Sequence, residues 1–481
     1  MTAILSCIPL FLAAAPAIQR IESSPPPAQS TLQPAVKAPE AHVTRMTIHP
    51  QSPPSPALKY QLMPNVSDRT PGNAAQIYLI GFELFNPDRQ AAREQFEKYR
   101  DCPISQLPVK EAAELLANFQ PPLAAMELAG RRDRCDWGIP YREQGFNTLL
   151  PYLNVCRQAG GVLAVQARVQ IAQGKFDDAV HTLQTGFALV DHLKNDAVLI
   201  QDLVAAGLAN EYLDRAVVDL EQAPGAPNLY WALADLPKPL IGMQGPAALE
   251  RADMEYSFPD LKHRNPLELN ADELRSLFAH IQHWQQLSGY SPQGGQNEVT
   301  FIAQNARAYG VAQRWLATRG YAQDRIEKMP VEAVLAAYYI QTYRQESDEV
   351  FKWAALPYWQ AQAGLAKAEA RIEKARKEEP NPLLGFIPAL QRAKLNLARS
   401  QRRVEMLQCV EGLRAYAAGH DGKLPKTLAD LTDTPAPLDV ITGKPFMYET
   451  TGNTATLRAL PPPGPAIPEE RIEITMAGEG R

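Results

Sequence analysis

The chain has 481 residues, enough for two or three domains of ~100 to 200 residues each, and its 45% apolar content can supply real hydrophobic cores. Lys and Arg total 48 against 53 Asp and Glu, a net charge of -5 at pH 7. That balance excludes the global positive field of a nucleic-acid binder, so no nucleic-acid partner is expected. The 42 prolines crowd toward the two ends and leave a middle in which long helices can form.

At the start, an apolar run from Ile4 to Ala15 leads into Ala15-Pro16-Ala17, and residues 1–17 read as a signal peptide with a small-residue cleavage region. The run is too short to span a bilayer, which takes ~20 residues. Export to the periplasm or cell envelope is therefore expected. Residues 18–72 carry Pro25, Pro26, Pro27, Pro34, Pro39, Pro50, Pro53, Pro54, Pro56, Pro64 and Pro71 among Ser, Ala and Gln, and read as an extended, disordered linker. In an oxidising compartment Cys102, Cys135, Cys156 and Cys409 could pair in three ways or stay as buried thiols, and none has metal-ligand spacing.

Residues 73–356 return an apolar side chain every three or four positions, the pattern of a helical domain. Asn86-Pro87-Asp88 has the cap, N1 and first-turn residues of a helix start. Gly161 to Leu193 is the clearest unit: Ala167, Gly174, Phe176, Ala179 and Leu183 stand at the spacing of a tetratricopeptide hairpin. Asp196 to Gln222 lacks that spacing, so a single hairpin is expected in place of a solenoid. Pro224-Gly225-Ala226-Pro227 breaks the helices, and Gly289 to Gly295 does so again as the stronger candidate boundary.

Residues 357–408 hold two heptad seams around a Pro-rich turn, Ala361, Leu365, Ala368, Ile372 and Ala375 before it and Leu390, Ala393, Leu397, Ser400, Val404 and Leu407 after it. They describe an antiparallel helical hairpin. Lys367 to Arg403 contains ten Lys or Arg against four Asp or Glu, a local balance of +6, read as a basic outer face. Such a face either makes peripheral contact with an anionic envelope surface or is simply solvated, as pairs like Glu373 with Lys377 favour. Residues 409–476 change character. A helix is followed by Phe446 to Thr450 and Thr454 to Arg458 around Thr451-Gly452-Asn453, a β-hairpin pattern, then a short strand Arg471 to Met476 and a tail, 477–481. The expected fold is mainly α: helical hairpins, one of them tetratricopeptide-like, in an irregular array, closed by a small C-terminal α+β module containing a β-hairpin.

Arg134-Cys135-Asp136-Trp137-Gly138, Gln173-Gly174-Lys175-Phe176-Asp177-Asp178-Ala179 and Gly225-Ala226-Pro227-Asn228-Leu229-Tyr230-Trp231-Ala232-Leu233, with the C-terminal block, resemble a group of uncharacterised exported helical proteins of planctomycetes. That resemblance implies no activity. From Leu413 to Arg458, the helix, His420-Asp421-Gly422-Lys423-Leu424-Pro425, Leu438-Asp439 and Gly443-Lys444-Pro445-Phe446-Met447-Tyr448 are similar to the soluble domain of type II secretion pseudopilins. This second resemblance implies a long helix packed on a small antiparallel sheet.

Chemical constellations are few. His280 and His283 stand at i,i+3 with Glu273 one to two turns earlier, a geometry for a metal or, more simply, for packing. His420-Asp421 has the residue types of a metal phosphohydrolase pair but precedes Gly422 in a turn. Trp353, Tyr358 and Trp359 around Pro357, and Asp136-Trp137 with Tyr141, could line a sugar or peptide surface or fill core. Nucleophile-elbow, His-Glu-x-x-His, phosphate-loop and dinucleotide signatures are missing. No catalytic, cofactor-binding or metal residue is assigned. The reading is an exported helical scaffold or binding protein with a protein partner. The alternatives are a component of an envelope secretion or pilus-like assembly, and a hydrolase whose site is built from distant residues.

Overall fold

The computed structural model describes residues 41–84, 90–145, 148–194, 198–258, 264–288, 298–462 and 467–478. Strand β1 (His42–Ile48) comes first and β2 (Thr70–Asn73) after it. Helices α1 (Ala74–Leu84), α2 (Gln90–Asp101), α3 (Val109–Ala117) and α4 (Gln120–Gly130) lead to β3 (Arg132–Arg134) and the short α5 (Tyr141–Gln144). Next come α6 (Tyr152–Ala172), α7 (Phe176–Leu193) and α8 (Leu199–Glu211), and α8 runs through a π-helical turn (Tyr212–Val217) into α9 (Val218–Gln222). The array continues with α10 (Tyr230–Ala234), α11 (Gln244–Ser257), α12 (Ala271–Ser288), α13 (Glu298–Ala317), α14 (Gln323–Glu327), α15 (Val331–Phe351), α16 (Tyr358–Glu378) and α17 (Leu390–Gly419). The chain closes with β4 (Leu438–Asp439), β5 (Lys444–Pro445), β6 (Met447–Thr451), β7 (Thr454–Ala459) and β8 (Glu470–Met476). The protein is mainly α with a small C-terminal α+β module, as its sequence pattern indicates.

The signal-peptide segment, residues 18–40 of the expected linker, Asn86-Pro87-Asp88, the Gly289 to Gly295 break and the last three residues lie outside the described residues. Residues 41–72 do not behave as a linker. β1 pairs in parallel with β8 along its whole length, Met46 opposite Ile474, and the sheet order is β1-β8-β7-β6. The reason is period-two alternation: Met46 and Ile48 face the core while Arg45 and Thr47 face out. Residues 40–481 form one compact unit, one large buried cluster runs from Met46 to Met476 beside a small second one at Tyr358, Leu395, Ala398 and Ile441, and α17 passes unbroken through the boundary expected at 408/409.

The α6–α7 hairpin closes as the sequence suggests. The amide of Gly174, at φ +72°, bonds the Ile171 carbonyl, and the Lys175 amide bonds that of Gln170. These are the two bonds of a Schellman motif, which requires a left-handed residue where glycine stands. Tyr212, from the π-helical turn, wedges against this hairpin. A Cβ at Gly186 would lie 2.8 Å from its ring, and one at Gly160 would lie 3.0 Å from its hydroxyl. The two glycines are the hollows that admit the tyrosine. The 452–453 turn joins β6 and β7 with positive φ at Gly452, the position a type II′ turn needs.

α17 is the strut around which the rest is wrapped. Every residue from Ser400 to Arg414 is buried, so its polar side chains must find partners inside the protein. Arg402 makes a two-pronged ion pair with Asp439, both bonds 2.9 Å, and bonds the Leu460 carbonyl. Gln401 accepts from the Leu240 amide and Glu405 from the Val440 amide. The expected basic outer face is split: Lys367, Arg371, Lys374, Lys377 and Arg392 are exposed, whereas Lys394, Arg402 and Arg403 on α17 are buried. Lys394 donates to the Ala354 carbonyl, Arg399 pairs with Glu470, and Arg403 lies 2.5 Å from Asp214, a close ion pair whose angle falls outside hydrogen-bond geometry. On α16, Arg371 pairs with Glu346, Lys377 with Glu373, and Arg376 donates to the Leu384 and Ile387 carbonyls.

Two outcomes test this packing. Gly186→Ala should lower the free energy of unfolding by about 1–3 kcal/mol in a urea titration, and Tyr212→Leu in the same chain should recover part of the loss, because the added methyl then meets no ring. Arg402→Met should cost about 3–5 kcal/mol by leaving Asp439 buried and unpaired, and the double change with Asp439→Leu should cost less than Arg402→Met alone.

Candidate binding groove

Of the residues singled out for metal chemistry, Glu273 and His420 are engaged elsewhere, and His280 lies against the Phe258 ring. Glu273 closes the start of α12: it accepts from the Asn270 amide and pairs with Arg264, while Asn270 Oδ1 accepts from the Asp272 and Glu273 amides. Those bonds hold its carboxyl below the usual range, Arg264 contributing most. Among the described residues no three His, Cys, Asp or Glu converge as metal ligands. His420 stacks on Tyr416 at 3.7 Å, its Nδ1 bonds the Tyr416 carbonyl, and the Gly422 amide reaches back to Ala417. With Asp421 at φ +53°, the tripeptide is a helix cap.

The aromatic candidates divide. Trp137 is core: it stacks on Tyr152 at 4.4 Å and donates to the His192 carbonyl. Trp353 lies across Gly364, and Tyr358 is buried. Trp359 is 48% exposed and rests on Gly443. Cys102, Cys135, Cys156 and Cys409 carry no disulfide, and burial pushes the Cys156 and Cys409 thiols above their usual range.

What the sequence did not point to is an open groove of about 640 Å³ at the tip of the α6–α7 hairpin. One wall is the hairpin turn, Gly174 to Asp178. The second is the segment after β1, Gln51 to Tyr60. The third is the turn Gly225 to Asn228. Most of its side chains are polar, with Pro54, Phe176 and Pro227 the apolar ones. Lys59 Nζ donates to the Tyr60 hydroxyl at 3.0 Å, and that hydroxyl donates to Asp177 at 2.8 Å. The bond to Tyr60 raises the Lys59 pKa and keeps the ammonium charged. Lys175 and Asp178 are exposed at the rim.

The walls are fixed from below by α17. The buried Arg414 guanidinium donates to the carbonyls of His49, Ala226 and Pro227 and pairs with Glu411 at 2.8 Å. The Gln51 amide bonds the Arg414 carbonyl. Asn228 donates to the carbonyls of both Gln51 and Glu411, so it joins two walls to the helix. The groove thus pairs a rigid floor with a charged rim, an arrangement suited to binding a polar ligand.

No family model, curated protein or solved structure matches the chain. The groove is therefore interpreted on its own chemistry. Asn228→Ala should cost about 1–3 kcal/mol in denaturant unfolding, because the Gln51 and Glu411 carbonyls and the Tyr230 amide lose a partner while the helices stay intact. Far-ultraviolet circular dichroism should be unchanged.

Proposed function

We propose that the protein is an exported helical scaffold or binding protein whose groove, formed by residues 51–60, 174–178 and 225–228, receives a polar segment of a protein partner. The observation that carries this reading is the contrast within the groove. Its walls are tied by internal bonds from Arg414 and Asn228, whereas Lys59, Lys175 and Asp178 project outward. Charges held on a fixed frame lose little entropy on binding and can select a partner of opposite pattern. The apolar run from Ile4 to Ala15 supports export, and among the described residues no helix is long and apolar enough to cross a membrane.

The test is site-specific photocrosslinking of the full chain in cells, with the probe at Ser55 in the groove or at Lys374 on the outer side of α16, combined with fractionation. The expected result is one species captured reproducibly from Ser55 in the exported fraction and not from Lys374, with capture reduced about tenfold or more by Lys59→Glu, the effect of losing a hot-spot charge. Equal capture at both positions, or a cytoplasmic protein, would overturn the proposal.

A second reading, a component of an envelope secretion or pilus-like assembly, draws on the strand order. β6 is an edge strand, with Met447, Glu449 and Thr451 exposed, and such edges accept a partner strand.

A further inference from the structure

Beneath the groove, Glu221 is fully buried at the end of α9, and neither carboxyl oxygen has a hydrogen-bond partner among the described residues. It sits directly before the turn that forms the third wall: the Ala223 amide bonds the Leu220 carbonyl, and the Ala226 amide bonds that of Ala223. The groups facing it come from every element packed on α9. From α17 they are Glu411, Arg414 and Arg403. The π-helical turn contributes Asp214, which Arg403 approaches, and Arg215, which bonds Asp101. From α6 comes Arg168, already committed to Asp219 of α9 itself. After β1 comes His49, held neutral by burial and by Arg414, while Arg45 on β1 turns to the outer face and pairs with Glu473.

Two guanidiniums act on Glu221: Arg403 is already paired with Asp214, while Arg414 is bonded to Glu411 and also holds the groove walls. Burial drives the Glu221 pKa well above the carboxylate range, and the charge of Glu411 adds to the effect, so the acid is neutral at moderate pH. We propose that Glu221 is a proton-controlled latch for the groove. While it is neutral, Arg414 serves Glu411 and the carbonyls of His49, Ala226 and Pro227. Once ionised, it draws Arg414 away from those carbonyls, and the 49–60 and 223–230 segments loosen. The latch concerns how the walls are held and stands whether or not the groove takes a ligand.

The sign follows from linkage. A carboxyl whose pKa is raised on folding contributes stability that is fully present below its unfolded value and lost as pH rises through the folded one. Other buried acids, such as Asp202 at about 8 and Glu405 at about 7, titrate in the same direction, so a global melting curve cannot single out Glu221. Local hydrogen exchange of the full chain can.

Exchange corrected for its chemical rate would be followed from about pH 5 to about pH 9 in the wild type and in Glu221→Gln, where protection is expected to fall about tenfold per pH unit once the acid ionises. In the wild type the loss should be confined to 49–60 and 223–230, with α15 unchanged, and in Glu221→Gln both segments should stay protected. The latch is overturned if the wild-type profile is flat, if α15 opens together with the walls, or if the variant opens as the wild type does. Should Glu221→Gln fail to fold, Glu221→Met takes its place. Should that fail as well, the wild-type profile alone decides by the same two outcomes, local loss or not.

Discussion

The fold hangs on the burial of charge along α17. A helix enclosed on every side would ordinarily be apolar all round. Here the stretch from Ser400 to Arg414 carries three arginines and two glutamates, and each arginine reaches a different piece of chain. Arg402 holds the 438–442 turn through Asp439, Arg403 faces the π-helical turn through Asp214, and Arg414 holds β1's end and the 225–228 turn. A buried guanidinium must satisfy its donors, and carbonyls of irregular segments are the acceptors available. The loops are therefore ordered by the helix's need for partners as much as by their own sequences. Replacing these residues with apolar ones of equal size could keep stability, but it would remove what specifies where each loop sits.

That arrangement also explains why the groove has a firm floor. Arg414 is shared among three carbonyls and one carboxylate, and Asn228 is shared between two backbone segments. Arg414 and Glu411 lie behind the groove's lining, and Asn228, although it belongs to the third wall, is itself buried. Rim side chains can vary in such a design without disturbing the frame, which separates what is bound from what holds the binding surface.

The legible parts of the sequence were those in which local pattern and structure share one cause. Gly174 between two periodic segments marks a helix cap, and Gly452 between alternating strands marks a turn, because in both the backbone conformation itself demands glycine. β1 was hidden. Its alternation is short and sits among prolines that favour an extended linker, while the partner that makes it a strand, β8, lies at the other end of the chain. The α17 half of the Lys367 to Arg403 run misled for a related reason. A charge count records how many cations there are and not which way they point, and Asp439, Asp214 and Glu470, which turn them inward, are remote in sequence. Likewise, three separate segments build the groove, and although Gly174 and Gly225 each mark a turn, nothing local shows that these turns meet.

The pairing of β1 with β8 has a consequence for the order of events during synthesis. Arg45 and Glu473 stand 428 positions apart, so β1 waits for β8 before it can pair. Contacts of such separation form late and slowly. Until then β1 offers an unpaired strand, and the core side of β7 lacks its neighbour. A product stopped short of β8 leaves both exposed and cannot close its sheet. The strand β1 displays is therefore hidden only once residues 470–476 have been made.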